Sequence, residues 1–193
     1  MHGRRCKKKK GYNKMYYSTT YSSVLGKITL VCDGENLVGL WMEKQRYTRD
    51  AIAAAMTENS SLPIFDAAKN WLDRYFAGEK PGISELPLAP SGSEFRQGVW
   101  AFLCEIPYGE VTTYGDVAKK MAMKMNIKRM SSQAVGGAVG HNPLPIIIPC
   151  HRVVGSNGSL TGYGGGIETK IKLLELEGVD MSRFFVPKKG TAL

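Results

Sequence analysis

The sequence has no C-x-x-C pair, only three histidines, no internal repeat, and no apolar run near the roughly 18 residues that a membrane span requires. Its four cysteines, Cys6, Cys32, Cys104 and Cys150, are scattered along the chain. That spacing argues against a disulfide framework or a zinc site, and for reduced thiols. The basic N-terminus is not followed by the apolar stretch of a secretory signal, so a cytoplasmic protein without membrane contact is expected. Acids are missing from residues 1–10, which carry six Lys and Arg; residues 11–90 carry eight basic residues against nine acids, and residues 91–193 twelve against eight. A basic second half points to a polyanionic partner, most simply nucleic acid. The first ten residues read as a solvated tail.

What is present is ordinary globular composition, 43% apolar and 22% charged over 193 residues. Residues Tyr16 to Tyr21, Lys27 to Cys32 and Leu37 to Met42 are rich in β-branched and aromatic side chains and broken by turn residues, which predicts an antiparallel meander. From Leu62 to Phe76, the positions Phe65, Ala68, Leu72, Tyr75 and Phe76 recur at helical spacing and Gly78 stops the run. Residues 79–93, rich in Pro and Gly, read as a connection, with a boundary near residue 88. The division expected is a basic tail (1–13), an N-terminal α/β domain (14–87), a second domain (88–180) and a C-terminal tail (181–193).

The second domain reads as mainly helical. A helix is expected over Ser93 to Cys104, another through Val117, Ala118 and Met121 capped by Thr112 or Thr113, and a third from Ser131 or Ser132 to about Gly140. The last two, joined by a turn in a basic region, fit a helix-turn-helix. The third carries Gly136, Gly137 and Gly140, each costing roughly 1 kcal/mol relative to alanine. Tight helix packing would offset that, as would a bare face sliding against a DNA groove, and packing is the slightly favoured reading. Ile146 to Ile148 read as a short buried strand or extended segment. After the loop Gly162 to Gly166, a final helix places Ile167, Ile171 and Leu174 on one face and ends at Gly178.

A cysteine among apolar residues is usually an inert hydrophobe, and that reading suits Cys32 and Cys104. Cys150 differs, because it follows Pro149 and precedes His151 and Arg152, in a polar and cationic context that favours thiolate. Adjacent residues of an extended chain point to opposite sides, so for His151 to serve Cys150 a bridging water or a non-extended backbone is needed. Glu177 is a candidate orienting carboxylate for such a base.

Pro149-Cys150-His151-Arg152-Val153, preceded by Asn142-Pro143 and followed by Tyr163 and Gly165-Gly166, resembles the active-site signature of the O6-alkylguanine-DNA alkyltransferases, or methylated-DNA–protein-cysteine methyltransferases. The resemblance is close over residues 93 to 178. It implies an α+β fold: a small N-terminal α/β, ribonuclease H-like domain, then a mainly helical domain with a winged-helix-like helix-turn-helix. It implies direct-reversal DNA repair by a monomer on double-stranded DNA, without metal or cofactor. The helix-turn-helix would enter the minor groove and the damaged nucleotide would be flipped out. The alkyl group of O6-alkylguanine, and O4-methylthymine as well, would then move irreversibly to Cys150, one per molecule.

By the same resemblance Cys150 is the acceptor, His151 a water-mediated base, Glu177 its polarising carboxylate, and Asn142 the brace beside the thiol. Tyr114 would donate to the departing guanine. Gln133, Gly136, Val153, Tyr163, Gly164 and Lys170 would contact substrate or line its pocket, with the Cys150 and Val153 carbonyls reading the exocyclic amine, and Arg152 would hold the domains together. Two positions depart from the family: Gln133 stands where many members have an arginine finger, and Gly164 where others have serine or alanine. Three rivals carry different signatures. A cysteine hydrolase would bring its histidine from far along the chain, a non-catalytic alkyl-lesion sensor would replace the cysteine, and a plain regulator would need no reactive thiol.

Overall fold

The computed structural model describes residues 15–43 and 56–188. Four strands, β1 (Tyr16–Ser23), β2 (Gly26–Cys32), β3 (Leu37–Met42) and β4 (Met56–Glu58), form one sheet in the order β3-β2-β1-β4. The first three make the expected meander, β1 and β2 running two residues and one residue longer than the patterning suggested. The parallel edge strand β4 was not expected, because three residues are too few to show alternation. The predicted basic tail, residues 1–13, lies outside the described residues.

Helix α1 (Pro63–Phe76) opens with proline at its first turn and packs Ile64, Phe65, Ala68, Trp71, Leu72 and Tyr75 into the core. Gly78, at φ +81°, takes the left-handed conformation that ends it. The connection that follows is pinned to the sheet. Leu37 N–H donates to Pro87 O and Ala89 N–H to Leu37 O, both at 2.9 Å, on the open edge of β3.

Beyond it come α2 (Glu94–Cys104), α3 (Tyr114–Lys124), α4 (Ser132–Gly140) and α5 (Ile167–Leu176). Ser93, Thr113 and Ser131 cap the first three through their side-chain oxygens. A parallel pair of two-residue strands, β5 (Thr112–Thr113) and β6 (Val153–Val154), ties the start of α3 to the segment after Cys150. The mixed α+β architecture is that of the expected fold class. One apolar cluster runs through both halves, from Ile28 and Leu40 through Tyr75 and Trp100 to Cys150 and Leu173.

Two expectations fail. Ile146 to Ile148 are buried but form a turn and not a strand: Ile148 N–H bonds Leu144 O at 2.8 Å, and Ile146 sits at φ +74°. A β-branched residue in that region costs on the order of 1–3 kcal/mol, so burial of the three isoleucines holds the turn against local preference. The glycines of α4 are not explained by packing either. A Cβ added at Gly137 or Gly140 would meet nothing within 4 Å, and one at Gly136 only the Tyr114 ring at 3.9 Å. The face they leave bare is open.

Candidate active site

Cys150 starts a 3-10 turn, Cys150–Arg152, directly after Pro149. The backbone is therefore not extended, which removes the obstacle to adjacent residues sharing a site. The strained isoleucine turn is closed by Asn142, whose Oδ1 accepts from Leu144 N–H at 3.0 Å and whose Nδ2 donates to Ile148 O at 2.8 Å. The same Nδ2 donates to Cys150 Sγ at 3.0 Å. Burial pushes the thiol up to about 11, against the Asn142 hydrogen bond, the Lys170 charge and the backbone amides of Cys150 and His151. The sulfur is thus a thiol at rest, in surroundings arranged to receive a thiolate.

His151 is fully buried, and its Nε2 lies 2.7 Å from Glu177 Oε1. An ionised carboxylate only accepts, so Nε2 carries the hydrogen and Nδ1 is the basic atom. Among the described residues Nδ1 has no hydrogen-bond partner. Burial lowers the imidazole below its ordinary range, outweighing the pull of Glu177, and keeps it neutral.

Glu177, just past the end of α5, is saturated. Its Oε1 accepts from Tyr75 Oη (2.7 Å), His151 and Arg152 Nη2 (2.9 Å), and its Oε2 from Arg152 Nε (2.8 Å) and the Gly109 amide (3.2 Å). Burial alone would raise this carboxyl, but the hydrogen bonds from His151 and Arg152, with the Arg152 charge, bring it down to about 2. Arg152 also donates to Ile106 O at 2.6 Å. Its hydrogen bonds stay within the second half of the chain, so it does not tie the two halves as expected; Tyr75 does.

Lys170 is fully buried, its ammonium donating to the carbonyls of Val153 and Thr161. Burial lowers it to about 8, partly offset by Cys150. Tyr114 donates to the same Thr161 carbonyl at 3.0 Å, and Gly162 permits that approach: a Cβ there would lie 2.5 Å from the Tyr114 hydroxyl. Tyr163 is buried edge-on to His151, at 6.5 Å between ring centroids, and its hydroxyl has no partner among the described residues. A side chain at Gly164 would meet only Gly140 O, at 3.8 Å.

The structure thus brings Cys150, Asn142, His151, Glu177, Val153, Lys170, Tyr163 and Tyr114 into one cluster. Gln133, exposed on the first turn of α4, stands outside it, and Gly136 reaches only Tyr114. Sequence reasoning missed Tyr75, which fits the helical spacing of a core aromatic, and Gly109, to which it gave no part in the site. The one local signal for Gly109 was its place in a Pro-x-Gly turn. Among the described residues no group of three or more His, Cys, Asp or Glu could hold a metal ion, and no helix is long and apolar enough to cross a membrane.

Two family models match the chain: the 6-O-methylguanine DNA methyltransferase ribonuclease-like domain over residues 15–90, and the DNA binding domain of the same proteins over residues 94–179. A methylated-DNA–protein-cysteine methyltransferase of Haemophilus influenzae is 42% identical over 83% of this chain and 86% of its own length. One from Methanosarcina acetivorans is 43% identical over 85% and 99%. The solved structure of Mycobacterium tuberculosis OGT in complex with DNA superposes with a TM-score of 0.71 at 40% identity, covering 88% of this chain and 94% of that one.

Proposed function

Because the chain belongs to the 6-O-methylguanine DNA methyltransferase family, we propose that Cys150 is its alkyl acceptor, His151 the base and Glu177 the carboxylate behind that base. The protein is a direct-reversal DNA repair methyltransferase, and DNA is its partner. The observation that carries the assignment is the buried Cys150 thiol, hydrogen bonded by Asn142, next to a neutral His151 whose Nδ1 has no partner among the described residues.

A protonated sulfur is a poor nucleophile, so the proton must leave first. It passes to His151 Nδ1 through one water, and Glu177 stabilises the imidazolium formed. Asn142 and the Lys170 ammonium then hold the thiolate. Sulfur attacks the alkyl carbon, the S–C bond forming as the C–O6 bond breaks, and the electron pair goes to guanine. The base takes up one proton from the protein, so thiol and alkylguanine become thioether and guanine. Tyr114 is the donor that faces the departing base. A thioether is a poor leaving group, so each molecule acts once.

The lesion reaches the thiol by leaving the duplex, which is cheapest where pairing is already weakened. The bare face of α4 enters the minor groove, and Gln133 fills the space that the flipped base vacates. Val153, Tyr163 and Gly164 line the pocket, and Gly136 lets α4 approach over Tyr114. The protein works as a monomer, and its affinity falls steeply with salt because phosphate contacts supply most of it.

Incubation with an oligonucleotide containing O6-methylguanine, followed by intact-mass measurement, should show one methyl group gained per protein and mapped to the Cys150 peptide. Retained lesion affinity with no gain in mass would instead make the protein a damage sensor.

A further inference from the structure

One of the five hydrogen bonds to Glu177 comes from the other half of the chain. Tyr75 lies on α1, is 1% exposed, and donates to Oε1 at 2.7 Å. That oxygen also accepts from His151 Nε2 and Arg152 Nη2, and the Tyr75 hydroxyl lies 3.5 Å from His151 Nε2. The phenol is held in place by stacking on Trp71 (5.5 Å) and an edge contact with Tyr108 (5.9 Å). Burial and the Glu177 charge keep it protonated, hence a donor at any working pH.

A carboxylate oxygen shared by three donors offers less to each, so hydrogen bonds from Tyr75 and Arg152 compete with the one from His151. We propose that Tyr75 is a positioning residue for the reaction: acting through Glu177, it sets how readily His151 takes up a proton, which makes the N-terminal half part of the apparatus that activates Cys150. This rests on the reading of His151 as the base.

The other titratable or charged groups facing the pair are Arg152 and Cys150 on the 3-10 turn, Lys170 on α5, Tyr163 on the pocket loop and Tyr108 on the loop after α2. All of these belong to the second half. The N-terminal half also touches the site through Met42, packed against Gly165, and through Leu40 N–H, which donates to Pro143 O at 2.8 Å. Neither contact brings a group that could alter the acidity of the pair.

Tyr75→Phe keeps the ring and its packing but removes the donor. Glu177 then carries less compensated charge and favours imidazolium. In single-turnover transfer from saturating O6-methylguanine duplex, the acid limb of the rate profile should move to higher pH by about half a unit to one unit, with stoichiometry still one methyl per chain. A profile that superposes on the parent's overturns the inference and leaves Tyr75 a packing residue.

Two further measurements guard against a variant that merely loosens the fold. A 3-fluorotyrosine placed at position 75, a stronger donor of the same shape, should move the limb to lower pH; no movement counts against the proposal. In a Glu177→Gln background, Tyr75→Phe should add no shift, and a shift as large as in the parent would mean that the effect bypasses Glu177. Failure of the parent protein to transfer any methyl group would sink the functional reading itself, an outcome distinct from an unmoved profile.

Discussion

Around Cys150 two side chains anchor the site, Asn142 using both ends of its amide and Glu177 accepting five hydrogen bonds, while His151 Nδ1 and the Tyr163 hydroxyl have no partner among the described residues. Along α4 the opposite holds, since Gly137 and Gly140 have open space where their side chains would be. The first region stores its organisation before any substrate arrives, at the cost of a strained turn at Ile146 and a buried lysine. The second forgoes helix stability and leaves a bare surface, the one that the proposed function turns toward DNA. Substitutions that would be harmless in one should therefore be harmful in the other.

The largest effect is expected at the reacting atom. Cys150→Ala should abolish methyl transfer in the intact-mass measurement while leaving lesion affinity, measured by fluorescence anisotropy, within a few-fold of the parent. Transfer by this variant would remove the basis for the mechanism.

Next comes the acid limb of stability. The Glu177 carboxyl stands at about 2 in the folded protein against an ordinary 4.5. A depressed carboxylate contributes its stabilisation above pH 4.5 and loses it as pH falls toward 2, a difference on the order of 3 kcal/mol. Urea unfolding across that window should show the decline, and Glu177→Gln should flatten it while lowering stability at neutral pH. An equally steep decline in the variant would assign the acid sensitivity to other groups.

The smallest effects form a matched pair. Gly109 stands at φ +80°, and a Cβ there would lie 2.8 Å from Glu177 O, so Gly109→Ala should cost about 2 kcal/mol and slow transfer. Gly137→Ala, on the bare face, should stabilise the protein by about 1 kcal/mol yet weaken DNA binding. Thermal unfolding and a binding titration on the two variants would separate the regions most directly. A destabilising Gly137→Ala would restore the packing account of α4.

Most elements were legible because their signals are local. β-Branched and aromatic composition between turn residues marked β1 to β3, helical spacing marked α1, and the Ser and Thr caps marked the starts of α2, α3 and α4. Cys150 stood out because polar neighbours interrupt an apolar stretch. The rest depends on contacts far apart in the chain. Ile146 to Ile148 have strand composition and turn geometry, since burial and the Asn142 side chain overrule their backbone preference. Tyr75 fits helical periodicity so well that nothing local separates its hydroxyl, 102 residues from its partner, from those of other core aromatics. The glycines of α4 were visible, but their meaning turned on whether a neighbour filled the space beside them.

The outer edge of β3 carries a further consequence. An uncovered edge strand is a template for pairing with another chain. Here the edge is occupied by backbone from later in the sequence: Pro87 O and Ala89 N–H at Leu37, and Pro143 O at Leu40. Pro143 belongs to the turn that Asn142 closes beside Cys150. Loosening that turn would therefore uncover part of a sheet edge as well as disturb the thiol, so damage to the site should appear as self-association in solution as well as lost repair. An N-terminal fragment cut before residue 87 would carry the whole edge exposed and should aggregate where the intact chain does not.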